Sequence, residues 1–155
     1  MPLGEFELIE RFFTRRGATR ADVRMGVGDD AAIVTPAAAA ECVLALDTLV
    51  ESSHFPAGMD ARFVGHRARA VNLSDLAAVG AEPAWALLGL TLPSVDEHWL
   101  AGFSAGLDAL ARRFNVALVG GDTTRGPLTV SIALAGNVPA GQALLRSGAT
   151  PGDDL

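Results

Sequence analysis

The stretch Ala70–Pro93, AVNLSDLAAVGAEPAWALLGLTLP, sets the fold class. Its first half is built of small and aliphatic residues and stops at Gly80. Its second half, AWALLGLTLP (84–93), is an apolar run closed by Pro93. Extended backwards, the first half predicts a helix over 60–79, with Asp60 as N-cap and Gly80 as the stop. A helix that hands over directly to a buried strand belongs to a mixed α and β architecture.

Outward from there the alternation continues. EFELIERFFTRR (5–16) predicts a short helix with Phe6, Ile9 and Phe13 on one face, and Gly17 follows it. VGDDAAIV (27–34) and ECVLALDTLV (41–50) are read as strands. SVDE (94–97) has the spacing of a capping box, with Ser94 and Glu97 as partners. The helix it opens places Trp99, Phe103, Leu107, Leu110 and Phe114 on one face. VALVGG (116–121) and LTVSIALAGNV (128–138) predict two further strands joined by a tight DTTRGP turn. The expected fold class is α+β, a mixed sheet of about four strands with helices packed on one face.

At 155 residues, 50% hydrophobic and 19% charged, the chain has material for one domain with a real core. No apolar run approaches the ~20 residues that cross a bilayer, and Glu5, Glu7 and Glu10 are unlike a secretory leader. The expected location is cytoplasmic, with no membrane partner. The net charge of −6 and the lack of a basic stripe argue against nucleic acid as partner. All 12 cationic residues are arginine. Without lysine there is no P-loop and no Schiff-base chemistry, so phosphate handling would fall to metal ions, arginine and backbone amides. Cys42 is the single cysteine, which excludes an internal disulfide, and it reads as a small core residue.

Four acids stand at the ends of apolar elements. Asp47 alternates with Val43, Ala45 and Leu49, so it shares their face; it either coordinates something or caps the next turn. Asp75 lies three residues after Asn72 in an otherwise uncharged length of helix. Its alternative is a place in a solvent-facing stripe. Asp122 follows a strand and Gly-Gly, a pattern that brings backbone close to a ligand or simply makes a capped turn. Asp30 has a neighbouring acid, Asp29. Neighbours in an extended segment point apart, so Asp30 is expected to face a ligand and Asp29 to shape the turn or hold an amide. Gathered together, Asp30, Asp47, Asp75 and Asp122 would suit hard cations such as Mg²⁺ and phosphate chemistry. His54, in the loop ESSHFP after the Asp47 strand, is the histidine placed to touch a ligand.

The strings GEFELIERFF, GVGDDAA, DTLVESSHF, AVNLSDLAAVGAEPAWALLGLTLP, GGDTTRGPL and RSGATPGDD, taken in order, closely resemble the N-terminal half of the thiamine-monophosphate kinases. That family belongs to the superfamily of aminoimidazole ribonucleotide synthetase, selenophosphate synthetase and a hydrogenase maturation protein. The resemblance implies an N-terminal domain whose sheet pairs with that of a second subunit in a homodimer. It implies ATP as co-substrate, several Mg²⁺ ions, and thiamine monophosphate as acceptor. The family's metal-binding acids fall on Asp30, Asp47, Asp75 and Asp122. Its nucleotide contacts fall on Gly121, Asp122 and Arg146, and a substrate contact falls on His54. No side chain is assigned as a catalytic acid or base. Residues 1–140 would form the ATP- and Mg²⁺-binding domain, and 141–155 a linker into a C-terminal domain beyond Leu155. Where the family often has hydroxyl residues before the Asp47 position, this chain has Ala45 and Leu46.

Two other readings remain. One is another ATP-using member of the superfamily, close to aminoimidazole ribonucleotide synthetase or the hydrogenase maturation protein. The other is a non-catalytic dimerisation module. Selenophosphate synthetase fits poorly, since its early lysine has no counterpart here.

Overall fold

A computed structural model describes residues 4–153. The chain runs α1 (Glu5–Phe12), β1 (Val23–Met25), β2 (Ile33–Val34), β3 (Ala40–Val50), α2 (Ala61–Val79), β4 (Glu82–Leu92), α3 (Glu97–Arg113), β5 (Ala117–Arg125) and β6 (Thr129–Pro139), then a 3-10 turn at Arg146–Gly148. The main sheet has four strands in the order β3-β6-β4-β5. β4 and β5 are parallel and the other pairings antiparallel. This is the expected mixed sheet, with the three helices on one face.

The helix layer forms because alternate strand residues point into it. Leu88, Leu90, Val130, Ile132 and Leu134 meet Val64, Ala68, Leu76, Phe103 and Leu107 in one core cluster. α2 starts where Asp60 accepts from the Arg62 amide at 2.8 Å, and it ends at Gly80, whose φ of 76° is left-handed. α2 and α3 pack backbone to backbone. A Cβ on Gly65 would lie 2.2 Å from the Phe103 carbonyl oxygen, and one on Gly106 only 2.0 Å from that of Arg62.

The opposite face is covered at one end only. The β1–β2 hairpin packs Val23, Ala32 and Val34 over Trp85, Ala117 and Val119. Asp22 fixes it, accepting from Trp85 Nε1 at 3.1 Å while paired with Arg20. The rest of that face is open. Leu44, Leu46 and Leu87 are exposed there.

Several expectations give way. α1 ends at Phe12 instead of Arg16, and its buried residues are Leu8 and Phe12. Gly17 turns instead to bridge Ala117, while its amide donates to Asp108. The stretch 27–34 is mostly the turn between β1 and β2, because Gly26 and Gly28 break the extended run. Ser94 does not cap α3. Asp96 does, its carboxylate accepting from the His98 and Trp99 amides at 2.9 and 3.1 Å. Phe114 is exposed at the end of α3. The segment DTTR is strand, and β5 and β6 are not neighbours, since β4 lies between them. Cys42 is exposed, as β3 is an edge strand with one face on the helices and Cys42 on the other.

Arg69 in α2 is fully buried, and its three side-chain nitrogens have no hydrogen-bond partner. Burial pushes its guanidinium down to about 10, opposed only by the charge of Asp108.

Candidate active site

β3 and α2 bring Asp47 and Asp75 together. By register Asp47 faces the helices, alongside Val43, Ala45 and Leu49, as alternation requires. Asp75 lies on the last turns of α2. Burial raises the Asp47 carboxyl above its ordinary value, and the nearby Asp75 carboxylate raises it further. Their oxygen donors suit a hard divalent ion, so the residues present fit Mg²⁺. Asn72 is fully buried and spends its amide on the Ala68 carbonyl at 3.1 Å. It therefore belongs to the helix interior, while Asp75 is exposed. Leu46 projects from the opposite face. Of the two positions that depart from the family's hydroxyl residues, only Ala45 shares a face with Asp47.

A second group of acids lines a cleft of about 390 Å³ beside the β5 edge. Asp29, Asp30, Gly121 and Asp122 form one wall. Asp29 Oδ1 accepts from the Asp30 amide at 2.8 Å, which is the amide-holding role expected of it. The turn lets both acids face the same cleft. Gly121 has φ of 152°, and a Cβ there would stand 1.9 Å from the Leu88 carbonyl oxygen, so glycine is required. Phe6, Ile9 and Phe13 form the other wall. Their helical spacing was legible as a core stripe; Phe6, 86% exposed, is instead at the mouth of the cleft.

The two groups stand apart. Asp47 pairs with Ile132, Ile132 with Leu88, and Leu88 with Gly121. Three interstrand steps separate the backbones by roughly 14 Å. Among the described residues no three His, Cys, Asp or Glu side chains gather into one metal-sized group. His54 is exposed after β3, its Nδ1 accepting from the Val50 amide at 3.1 Å, which leaves Nε2 as the free nitrogen of the ring. Arg146 is exposed in the 3-10 turn. The segment before it is held to the end of α2, where the Leu144 amide donates to the Val79 carbonyl. Neither lines the cleft.

Residues 28–138 match the family model of AIR synthase related protein, N-terminal domain. The chain belongs to that family. It is 50% identical over 153 residues to the thiamine-monophosphate kinase of Salmonella typhimurium, covering 99% of this chain and 47% of the relative. The chain thus spans about half the length of the curated relatives it matches. Among solved structures, the thiamine-monophosphate kinase of Stenotrophomonas maltophilia is 47% identical with a TM-score of 0.80, over 94% of this chain and 46% of that one. A structure of AaThiL complexed with AMPPCP and TMP is 28% identical with a TM-score of 0.69, over 75% and 38%. The mixed sheet with helices on one face is the architecture of these neighbours. No helix among the described residues is long and apolar enough to cross a membrane.

Proposed function

We propose that this chain is the ATP- and Mg²⁺-binding part of a thiamine-monophosphate kinase, which moves the γ-phosphoryl group of ATP onto thiamine monophosphate and gives thiamine diphosphate. The structural observation that carries the reading is the placing of Asp75 on α2 beside Asp47 on β3, two acids whose oxygen donors suit a hard cation. Identity of 50% to a relative of that name supports the substrate. The domain would comprise residues 1–140, with 141–155 leading on. Its setting would be cytoplasmic.

Bound Mg²⁺ supplies neutralisation of charge on phosphate oxygens. Asp47 and Asp75 would hold it at the β3 edge of the sheet, and Asp30 and Asp122 at the β5 edge. Gly121 lets the backbone approach the nucleotide. Arg146 would pair with the nucleotide and His54 Nε2 would donate to the acceptor. The acceptor phosphate is already ionised at neutral pH, so alignment matters more than a general base. Because the two acid pairs are separated across the sheet, a site that draws on all four needs groups from outside this chain. A homodimer through the open sheet face is one source, and residues that follow the domain are another.

Asp75→Asn, made in the protein carrying this domain, is expected to lower turnover about 100-fold, the scale for losing one preorganised charge-stabilising group. It should also raise the Mg²⁺ concentration needed for half-maximal rate. An unchanged Mg²⁺ dependence would remove the metal role of this pair.

A further inference from the structure

We infer that Phe6, on α1, is the stacking platform for the base of the bound nucleoside triphosphate. The inference rests on the kinase reading and deepens it by naming what occupies the apolar half of the cleft. Phe6 is the most exposed large hydrophobic residue among those described, at 86%. It faces a cleft whose other wall carries Asp29, Asp30 and Asp122. Phe13 backs the cleft and is buried, edge-on to Phe103 with ring centroids 6.4 Å apart, so the wall behind Phe6 is anchored in the core. At about 390 Å³ the cleft is in the range of small-molecule sites.

The two walls ask for a ligand with two chemistries. One end must be flat and apolar, to lie on Phe6 and Ile9. The other must be anionic and arrive with a divalent cation, because bare phosphates would be repelled by three carboxylates. A metal-bound nucleoside triphosphate has both ends. Thiamine monophosphate also joins a ring to a phosphate, and the binding test below separates the two. α1 precedes residues 28–138, the part matched by the family model, so this wall is added to the domain core from outside it.

The test is calorimetric binding of Mg–ATP, Mg–tripolyphosphate and thiamine monophosphate to the protein carrying this domain, as wild type, Phe6→Ala and Phe6→Trp. Phe6 buries little surface here, so both variants keep the fold. Phe6→Ala should weaken Mg–ATP roughly tenfold, the scale of one lost base–aromatic contact. It should leave Mg–tripolyphosphate unchanged, and Phe6→Trp should restore Mg–ATP. Equal Mg–ATP affinity in wild type and Phe6→Ala overturns the inference. So does a loss confined to thiamine monophosphate, or an equal loss for tripolyphosphate. Wild-type protein that binds Mg–ATP but does not phosphorylate thiamine monophosphate would overturn the kinase reading alone.

Discussion

Asp47, which the kinase reading places among the metal ligands, carries a cost in stability. Its carboxyl is raised first by burial and then by Asp75, so the folded state disfavours the charged form. A carboxyl raised in the fold contributes stability at low pH and loses it as pH climbs through the folded value. At neutral pH, without metal, the ionised pair is therefore a net cost. Asp47→Asn should raise the melting temperature in EDTA. Solvent screening keeps the gain to about 1 kcal/mol, or roughly 2–4 °C for a chain of this size. The same variant should gain less from added Mg²⁺ than wild type does, since a ligand stabilises only the state that binds it. A variant that melts lower than wild type in EDTA would show Asp47 to be a structural cap. The sequence exposed Asp47 through strand alternation and Asp75 through its uncharged helix. It could not place them side by side, because nothing local encodes which helix turn lies over which strand.

At the scale of elements, the α2–α3 interface depends on the absence of two side chains. Both Gly65 and Gly106 face backbone atoms of the other helix, which cannot swing away as a side chain can. Gly106→Ala should destabilise the protein by about 3 kcal/mol, at the upper end for overpacking, as measured by urea unfolding. A cost below that of an ordinary surface substitution would mean that the helices separate freely. The α2 boundaries were legible, since Asp60 and Gly80 are unrivalled cap residues in their neighbourhoods. At α3 two acceptors compete, and Asp96 prevails over Ser94 because it is the residue immediately before the helix and its carboxyl accepts from two amides at once. In α1 the stripe of Phe6, Ile9 and Phe13 was visible, but periodicity says only that residues share a face. Whether that face meets a core or a ligand is decided by what the rest of the chain places opposite it.

For the molecule as a whole, fold class was legible and strand order was not. Alternating helices and strands imply a layered sheet, whereas β4 between β5 and β6 follows from long-range pairing. The same gap hid the open face. ECVLALDTLV is apolar at seven of its ten positions, on both faces, which fits burial on both sides, yet the structure covers only the side of Val43, Ala45 and Leu49. Leu44 is 77% and Leu46 68% exposed. Across the sheet Leu46 pairs with Ala133, and Ala133 with Leu87, so the exposed residues form a row on one face. Such a row on an otherwise acidic protein would suit an interface. The proposed homodimer would cover it sheet to sheet, and the β1–β2 hairpin already shows how the other end of this face is closed. Leu46→Glu should convert the dimer to a monomer in sedimentation velocity, because a buried, unpaired carboxylate at the centre of the row costs several kcal/mol. The far-UV circular dichroism of the monomer should match that of wild type, since Leu46 contributes little to the core of its own chain. A wild-type protein that sediments as a monomer, or a Leu46→Glu dimer of undiminished affinity, would assign the open face to some other contact.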